Sequence, residues 1–228
     1  MEQVVAGRRT FLSGLGAALG AFGVGAARAG AQTRSADAPF TPARHKEDEW
    51  LSQIPGKHRV VIDAVLPNSA GSAILFAANL LNTNKSAYGG VDADLAIVVV
   101  MRHNASPFAF NDTVWAKYGK ALGTVLDVKD PKTKQPPDRN IYSYNYGLDA
   151  TNLGNTIKSV TDRGVVIAIC DLASHFAASG VARIVGSTAN EVYNDFKANT
   201  VPNSRFVSAG VNAVTRAQEL GYSLIYAG

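Results

Sequence analysis

The run Val165 to Ile169, opened by Gly164 and closed by Cys170, restricts the fold of this chain more than any other stretch. It is β-branched and aliphatic throughout with no polar alternation, so it reads as a strand buried on both faces, the pattern of a parallel sheet lying under helices. In open α/β sheets, ligands and reactive groups gather in the crevice outside the carboxyl ends of the strands. Cys170, the only cysteine of the chain, stands at that end of the run. Free cysteine is also among the residue types most often buried, so a packing role stands beside the chemical one.

Four more strands follow from the same reasoning. Arg59 to Val65 is the first, followed by a loop Leu66-Pro67-Asn68-Ser69-Ala70-Gly71-Ser72 and a helix from about Ala73 to Leu81. Ile74, Leu75, Ala78 and Leu81 share one face of that helix by their three- and four-residue spacing. Leu95 to Met101 is the most apolar strand, and it empties into Arg102-His103-Asn104. Asn111 or Asp112 is placed to cap the next helix, in which Val114, Trp115 and Tyr118 recur. Asn152 to Thr161 and Leu172 to Ser179 read as the helices flanking the Cys170 strand, and Thr188 with Glu191 makes a capping box. Arg205 to Ser208 and Tyr222 to Tyr226 complete the strands, separated by a helix from about Gly210 to Leu220. Alternating strands and helices predict an α/β fold, a flavodoxin-like three-layer sandwich with a five-stranded, mainly parallel sheet. His103 and Cys170 then both leave the carboxyl ends of neighbouring or near-neighbouring strands. A loop histidine has two readings here, a solvent-exposed residue or a proton-transferring partner of the thiol.

An excursion between Asp127 and Gly147 is rich first in proline and charge and then in tyrosine. A segment of this length without periodicity serves as a lid, as an oligomer contact, or as an unstructured loop. Tyr142, Tyr144 and Tyr146 alternate as a short exposed strand would, which offers either a partner surface or a surface hairpin.

The chain has 228 residues, 46% hydrophobic and 18% charged, ordinary material for one globular domain. Its formal charge is +4, but Arg8, Arg9 and Arg28 lie near the amino end with only Glu2 to offset them, and the remainder carries +2. No Lys/Arg block interleaved with aromatics appears, so nucleic acid is not an expected partner. One cysteine rules out an intrachain disulfide framework and a cysteine-rich zinc site. With His45 in a short helix, His58 in a turn and four histidines in all, no metal-ligand spacing emerges. There is no phosphate-binding Gly-x-x-x-x-Gly-Lys-Ser/Thr loop, no dinucleotide fingerprint after the first strand, no His-Glu-x-x-His and no nucleophile elbow. No cofactor is expected. The Asn68 to Ser72 loop is a candidate phosphate cradle at a helix N-terminus.

Residues 7 to 13 read Gly-Arg-Arg-Thr-Phe-Leu-Ser and precede a weakly apolar, Gly/Ala-rich stretch up to Ala27. This resembles a twin-arginine export signal, with Ala29-Gly30-Ala31 as the small-x-small cleavage site and Gln32 as the mature start. From Phe11 to Ala27 there are about 17 residues, short for a span that needs about 20, so stable membrane insertion after cleavage is not expected. The resemblance implies export in a folded state to the periplasm or beyond. Residues 32–57 read as a linker and a short helix carrying Trp50 and Leu51, and 58–228 as the α/β domain with an insertion near 128–150.

Gly164 to Cys170, Phe206-Val207-Ser208-Ala209-Gly210-Val211 and Gln218-Glu219-Leu220-Gly221-Tyr222 together resemble the DsrE/DsrF-like (YchN-type) family, over roughly Arg59 to Gly228. The resemblance implies a small flavodoxin-like domain that assembles into trimers or hexamers. In members acting in sulfur transfer, a cysteine after the corresponding strand carries persulfide sulfur, and Cys170 matches it. It also implies a sulfur donor or acceptor protein as partner. Three readings therefore stand: persulfide carriage or thiol exchange at Cys170 assisted by His103; a non-catalytic oligomeric module binding a small ligand near Asn68, His103 and Asn111; and an exported structural oligomer using the tyrosine excursion as contact surface.

Overall fold

In the computed structural model, which describes residues 40–228, the five apolar runs become strands β1 (His58–Ala64), β2 (Leu95–Met101), β3 (Val166–Cys170), β4 (Ser204–Val207) and β5 (Ser223–Ala227). The spatial order is β4-β3-β2-β1-β5, and every neighbouring pair is parallel. The sequence predicts a mainly parallel sheet; the structure makes it parallel throughout. The most apolar strand, β2, takes the centre, where each residue from Ala96 to Met101 is buried. The export signal, its cleavage site and most of the linker fall outside the described residues.

Helices cover both faces of the sheet in the unit from Pro42 to Gly228. α1 (Glu49–Gln53) and α7 (Gly210–Glu219) cover one face; α2 (Pro67–Tyr88), α3 (Asp112–Leu126), α4 (Ile157–Thr161), α5 (Asp171–Val185) and α6 (Ala189–Ala198) build up the other. The alternation of side chains along each strand divides the core accordingly. Ile62, Val99 and Ile169 face the larger helical layer, with Ile74, Leu81, Trp115 and Phe196. Val61, Val98 and Ala168 face the smaller one, with Trp50, Leu51, Ala213 and Ala217. This three-layer sandwich is the flavodoxin-like architecture that the alternating strands and helices predict.

Three expectations are corrected, the smallest being that the helix expected over Asn152 to Thr161 forms only at Ile157–Thr161, capped by Thr156. The stretch from Pro67 to Ser72 is not a loop but the first turns of α2, with Pro67 at the opening position where its missing N–H costs nothing. Ser69 closes that terminus: its Oγ accepts from the backbone N–H of Leu66 at 2.6 Å and donates to the Leu66 carbonyl at 2.8 Å. The tyrosine stretch is likewise no exposed strand. It is a short 3-10 turn at Ile141–Ser143, with Tyr142 buried. The Tyr142 ring lies 4.9 Å from that of Phe108, and its hydroxyl donates to the Pro67 carbonyl. Tyr144 donates to Asp112 and Tyr146 to Asp130.

The physical reason is a buried anchor beside a gap in α2. Asn140 has no exposed surface, and its Nδ2 donates to the carbonyls of Phe108 and Phe110 at 2.7 and 2.8 Å. Gly71 supplies the gap, since a Cβ there would stand 2.5 Å from the Tyr142 ring and 2.1 Å from Thr151 Oγ1. The excursion is thus bolted to the domain by polar groups that a periodicity argument does not see. Asn140→Ala leaves two carbonyls unpaired in the interior and should cost roughly 2 to 4 kcal/mol. Urea denaturation measures that loss, and limited proteolysis should move to 128–150; an unchanged midpoint would show that the anchor is dispensable.

Candidate functional site

β2 and β3 are hydrogen-bonded neighbours, so the chain segments leaving their carboxyl ends emerge side by side. Arg102 and His103 follow β2, and Cys170 ends β3. All three line one cavity of about 290 Å³, together with Leu172 and Phe176 of α5 and Gly210 of α7. The sequence expectation that His103 and Cys170 share a crevice is met in this respect. Cys170 is 6% exposed and is a free thiol. Its backbone is held firmly, because its carbonyl accepts from Ser174 Oγ at 2.9 Å and from Ser106 Oγ at 3.3 Å, both serines being fully buried.

Cys170 also occupies the N-cap position of α5. The first N–H groups of a helix lack intrahelical partners and carry partial positive charge, so they form a polar wall beside the sulfur. The start of α7 borders the same cavity, since Ala209, Gly210 and Val211 line it. Gly210 permits the approach: a Cβ there would stand 2.5 Å from the Cβ of Arg102.

Asp171 follows the thiol in the chain and brings a carboxylate to the same helix start. The structure engages it elsewhere. Its carboxylate accepts from the Tyr193 hydroxyl at 2.5 Å and lies 3.7 Å from His175 Nε2, while the His175 and Tyr193 rings stack 3.7 Å apart. Burial first, and then hydrogen bonding to Asp171, pushes the Tyr193 phenol up to about 12.

Two residues at the site escaped sequence reasoning. Asp63 is buried in β1, and Arg102 grips it with two bonds, Nε to Oδ1 at 2.8 Å and Nη2 to Oδ2 at 2.9 Å. The hydrogen bond to Asp63 is the main influence raising the Arg102 pKa, so Arg102 stands in the cavity wall as one half of an ion pair. A signal was present in the sequence: an aspartate inside an otherwise apolar buried strand demands a cationic partner, and Arg102 sits just beyond the neighbouring strand.

The remaining candidates are not gathered there. Asn68 lines a separate groove of about 550 Å³ with Asp127, Lys129, Asp130 and Thr151; Asn104 and Leu126 border both spaces. Asn111 caps α3, its Oδ1 accepting from the Thr113 N–H at 2.9 Å, and it lines neither space. Among the described residues no group of three or more His, Cys, Asp or Glu side chains is placed to hold a metal ion, and no helix is long and apolar enough to cross a membrane.

The arrangement defines an α/β domain with a thiol at the carboxyl edge of its sheet, set among helix N-termini and one structural arginine. No known family model and no curated protein matches the chain.

Two outcomes follow from these contacts. Asp63→Ala strands the Arg102 charge against the sheet and should cost about 3 kcal/mol, the lower end for breaking a buried pair because Arg102 is partly solvated. Arg102→Met in the same chain should recover much of that loss in urea denaturation, and equal loss in single and double variants would refute the pairing. The second concerns Tyr193. An unfolded phenol ionises near 10 and the folded one near 12, so between these values the unfolded chain releases a proton that the folded chain keeps. This contribution is fully present below about pH 10 and is lost as the pH rises through the folded value near 12. Tyr193→Phe should therefore flatten part of the fall in denaturation midpoint across that window, other raised tyrosines such as Tyr118 and Tyr142 accounting for the rest.

Proposed function

We propose that this chain is an exported DsrE-like protein that carries sulfur as a persulfide on Cys170, or exchanges it with thiols, and that it works as a homo-oligomer with a sulfur donor or acceptor protein as partner. The observation that carries this reading is the placement of Cys170 at the N-cap of α5, in one cavity with Arg102, His103 and the start of α7. Those surroundings bring a nucleophilic sulfur, a proton-accepting imidazole and two helix starts to one small space.

The chemistry balances without an external oxidant. His103 accepts the thiol proton, and the Cys170 thiolate attacks the terminal sulfur of an anionic polysulfide. One S–S bond forms, the adjacent S–S bond of the donor breaks, and the donor leaves one sulfur shorter with the electron pair. An acceptor thiolate then attacks the outer sulfur on Cys170, which regenerates the Cys170 thiolate. Arg102, held by Asp63, shapes the wall of the cavity in which these steps occur. The exposed side chains of Leu172, Phe176 and Val211 around the cavity supply an apolar rim that supports assembly across this face.

A second reading, non-catalytic binding of a small ligand, is favoured by the larger groove holding Asn68, which meets the Cys170 cavity at Asn104 and Leu126. Cys170 is then a packing residue. Intact mass spectrometry of anaerobically purified protein before and after polysulfide separates the two. A gain in units of sulfur mass, reversed by a small thiol and absent in Cys170→Ser, is the expected result. No adduct on folded wild type would sink the sulfur-carrier reading, and a monomer in the native mass spectrum would sink the oligomer.

A further inference from the structure

At the opposite end of the sheet, where β2, β3 and β4 begin, lies a groove of about 730 Å³ that plays no part in the thiol chemistry. Its walls are apolar along Trp50, Ile54, Pro55, Leu95 and Val166. Its charged groups are paired with one exception. Arg163 holds Asp92 through two bonds of 2.8 Å, and Lys158 holds Asp162 at 2.6 Å. Arg205 has no carboxylate partner and no hydrogen bond among the described residues; its guanidinium stacks over the Trp50 ring, 4.4 Å from the centroid. It extends from β4 in register with Ala168, on the face that Trp50 covers. Arg205 is exposed on this edge strand, and the partial desolvation it does undergo lowers its pKa.

A guanidinium stacked on an aromatic ring keeps its in-plane N–H donors free, and their fork matches both oxygens of a carboxylate. We propose that Arg205 and Trp50 form the head of a binding site for a small amphiphilic carboxylate, its acid group on Arg205 and its hydrocarbon along the wall from Trp50 to Ile54, Leu95 and Val166. A groove of this size is ordinary for such a ligand. The apolar wall rules out a bare inorganic anion as the best fit, since that would leave the hydrocarbon surface wet. Gln53, also on the groove and exposed, adds an amide at the open side.

Trp50 reports on its own site, because the only other tryptophan, Trp115, is fully buried in the larger core layer. The test is titration of tryptophan emission with octanoate, with octan-1-ol as the uncharged control. The expected result is a saturable change with octanoate and at least tenfold weaker binding of the alcohol. Arg205→Met keeps the aliphatic stem over Trp50 but removes the donors, and it should weaken octanoate binding about tenfold. Arg205→Lys keeps the charge without the fork and should fall between. Trp50→Phe should abolish the signal. The proposal is overturned by no saturable change with octanoate, by equal binding of acid and alcohol, by unaltered affinity in folded Arg205→Met, or by a signal that survives in Trp50→Phe. Comparison of acid with alcohol on wild type decides the matter even if a variant does not fold.

Discussion

A parallel sheet covered on both faces leaves its inner strands, β1, β2 and β3, only two wet places, their two ends. Helices cover the apolar faces because the strands have no polar side to offer water, and the backbone ladders consume the remaining polar groups. The charged side chains carried by the strands therefore lie toward one end or the other, Asp63 at the carboxyl end of β1 and Arg205 at the amino end of β4. The Cys170 cavity is at the carboxyl end, and the Trp50 and Arg205 groove is at the amino end. The charges each end can hold are set by the same constraint.

Asp63 shows how the constraint is satisfied. A carboxylate on β1 that kept its charge without a partner would be strongly unfavourable, and Arg102 meets it with both oxygens bound. The pair ties the end of β1 to the first residue beyond β2 and sets the Arg102 side chain in the wall of the thiol's cavity. Gly210 then lets α7 begin against the Arg102 stem. Structural need and site electrostatics are one arrangement here, since the guanidinium that neutralises the sheet also faces the cavity.

Much of the fold was legible because it follows from local apolar runs. All five strands were expected within about a residue of where they lie, the Leu95–Met101 strand with both ends correct. Asn111 and the Thr188/Glu191 box were readable as caps because a cap needs only residues a few positions apart. The excursion is illegible locally for the opposite reason. Alternating tyrosines look like a strand locally, yet Tyr142 is drawn inside by Phe108, Pro67 and a gap at Gly71, all distant in sequence. The start of α2 reads as a loop in sequence because Pro67, Asn68 and Gly71 are turn formers, whereas Pro at the first helical position and a buried glycine at a tight contact are both compatible with helix.

By itself the sequence determined the layers: apolar runs of strand length alternating with amphipathic or small-residue helices can bury their surface only in a covered parallel sheet. It also determined that the one thiol would stand at a strand's carboxyl end. Only the tertiary structure decided what surrounds that thiol, because the Asp63 and Arg102 pairing, the turning of Asp171 toward Tyr193, and the approach of α7 join residues far apart in the chain. Local pattern carries hydrophobic burial, which is non-directional. The directional hydrogen bonds and charges that make a site depend on which strands become neighbours, and that is settled when the sheet assembles.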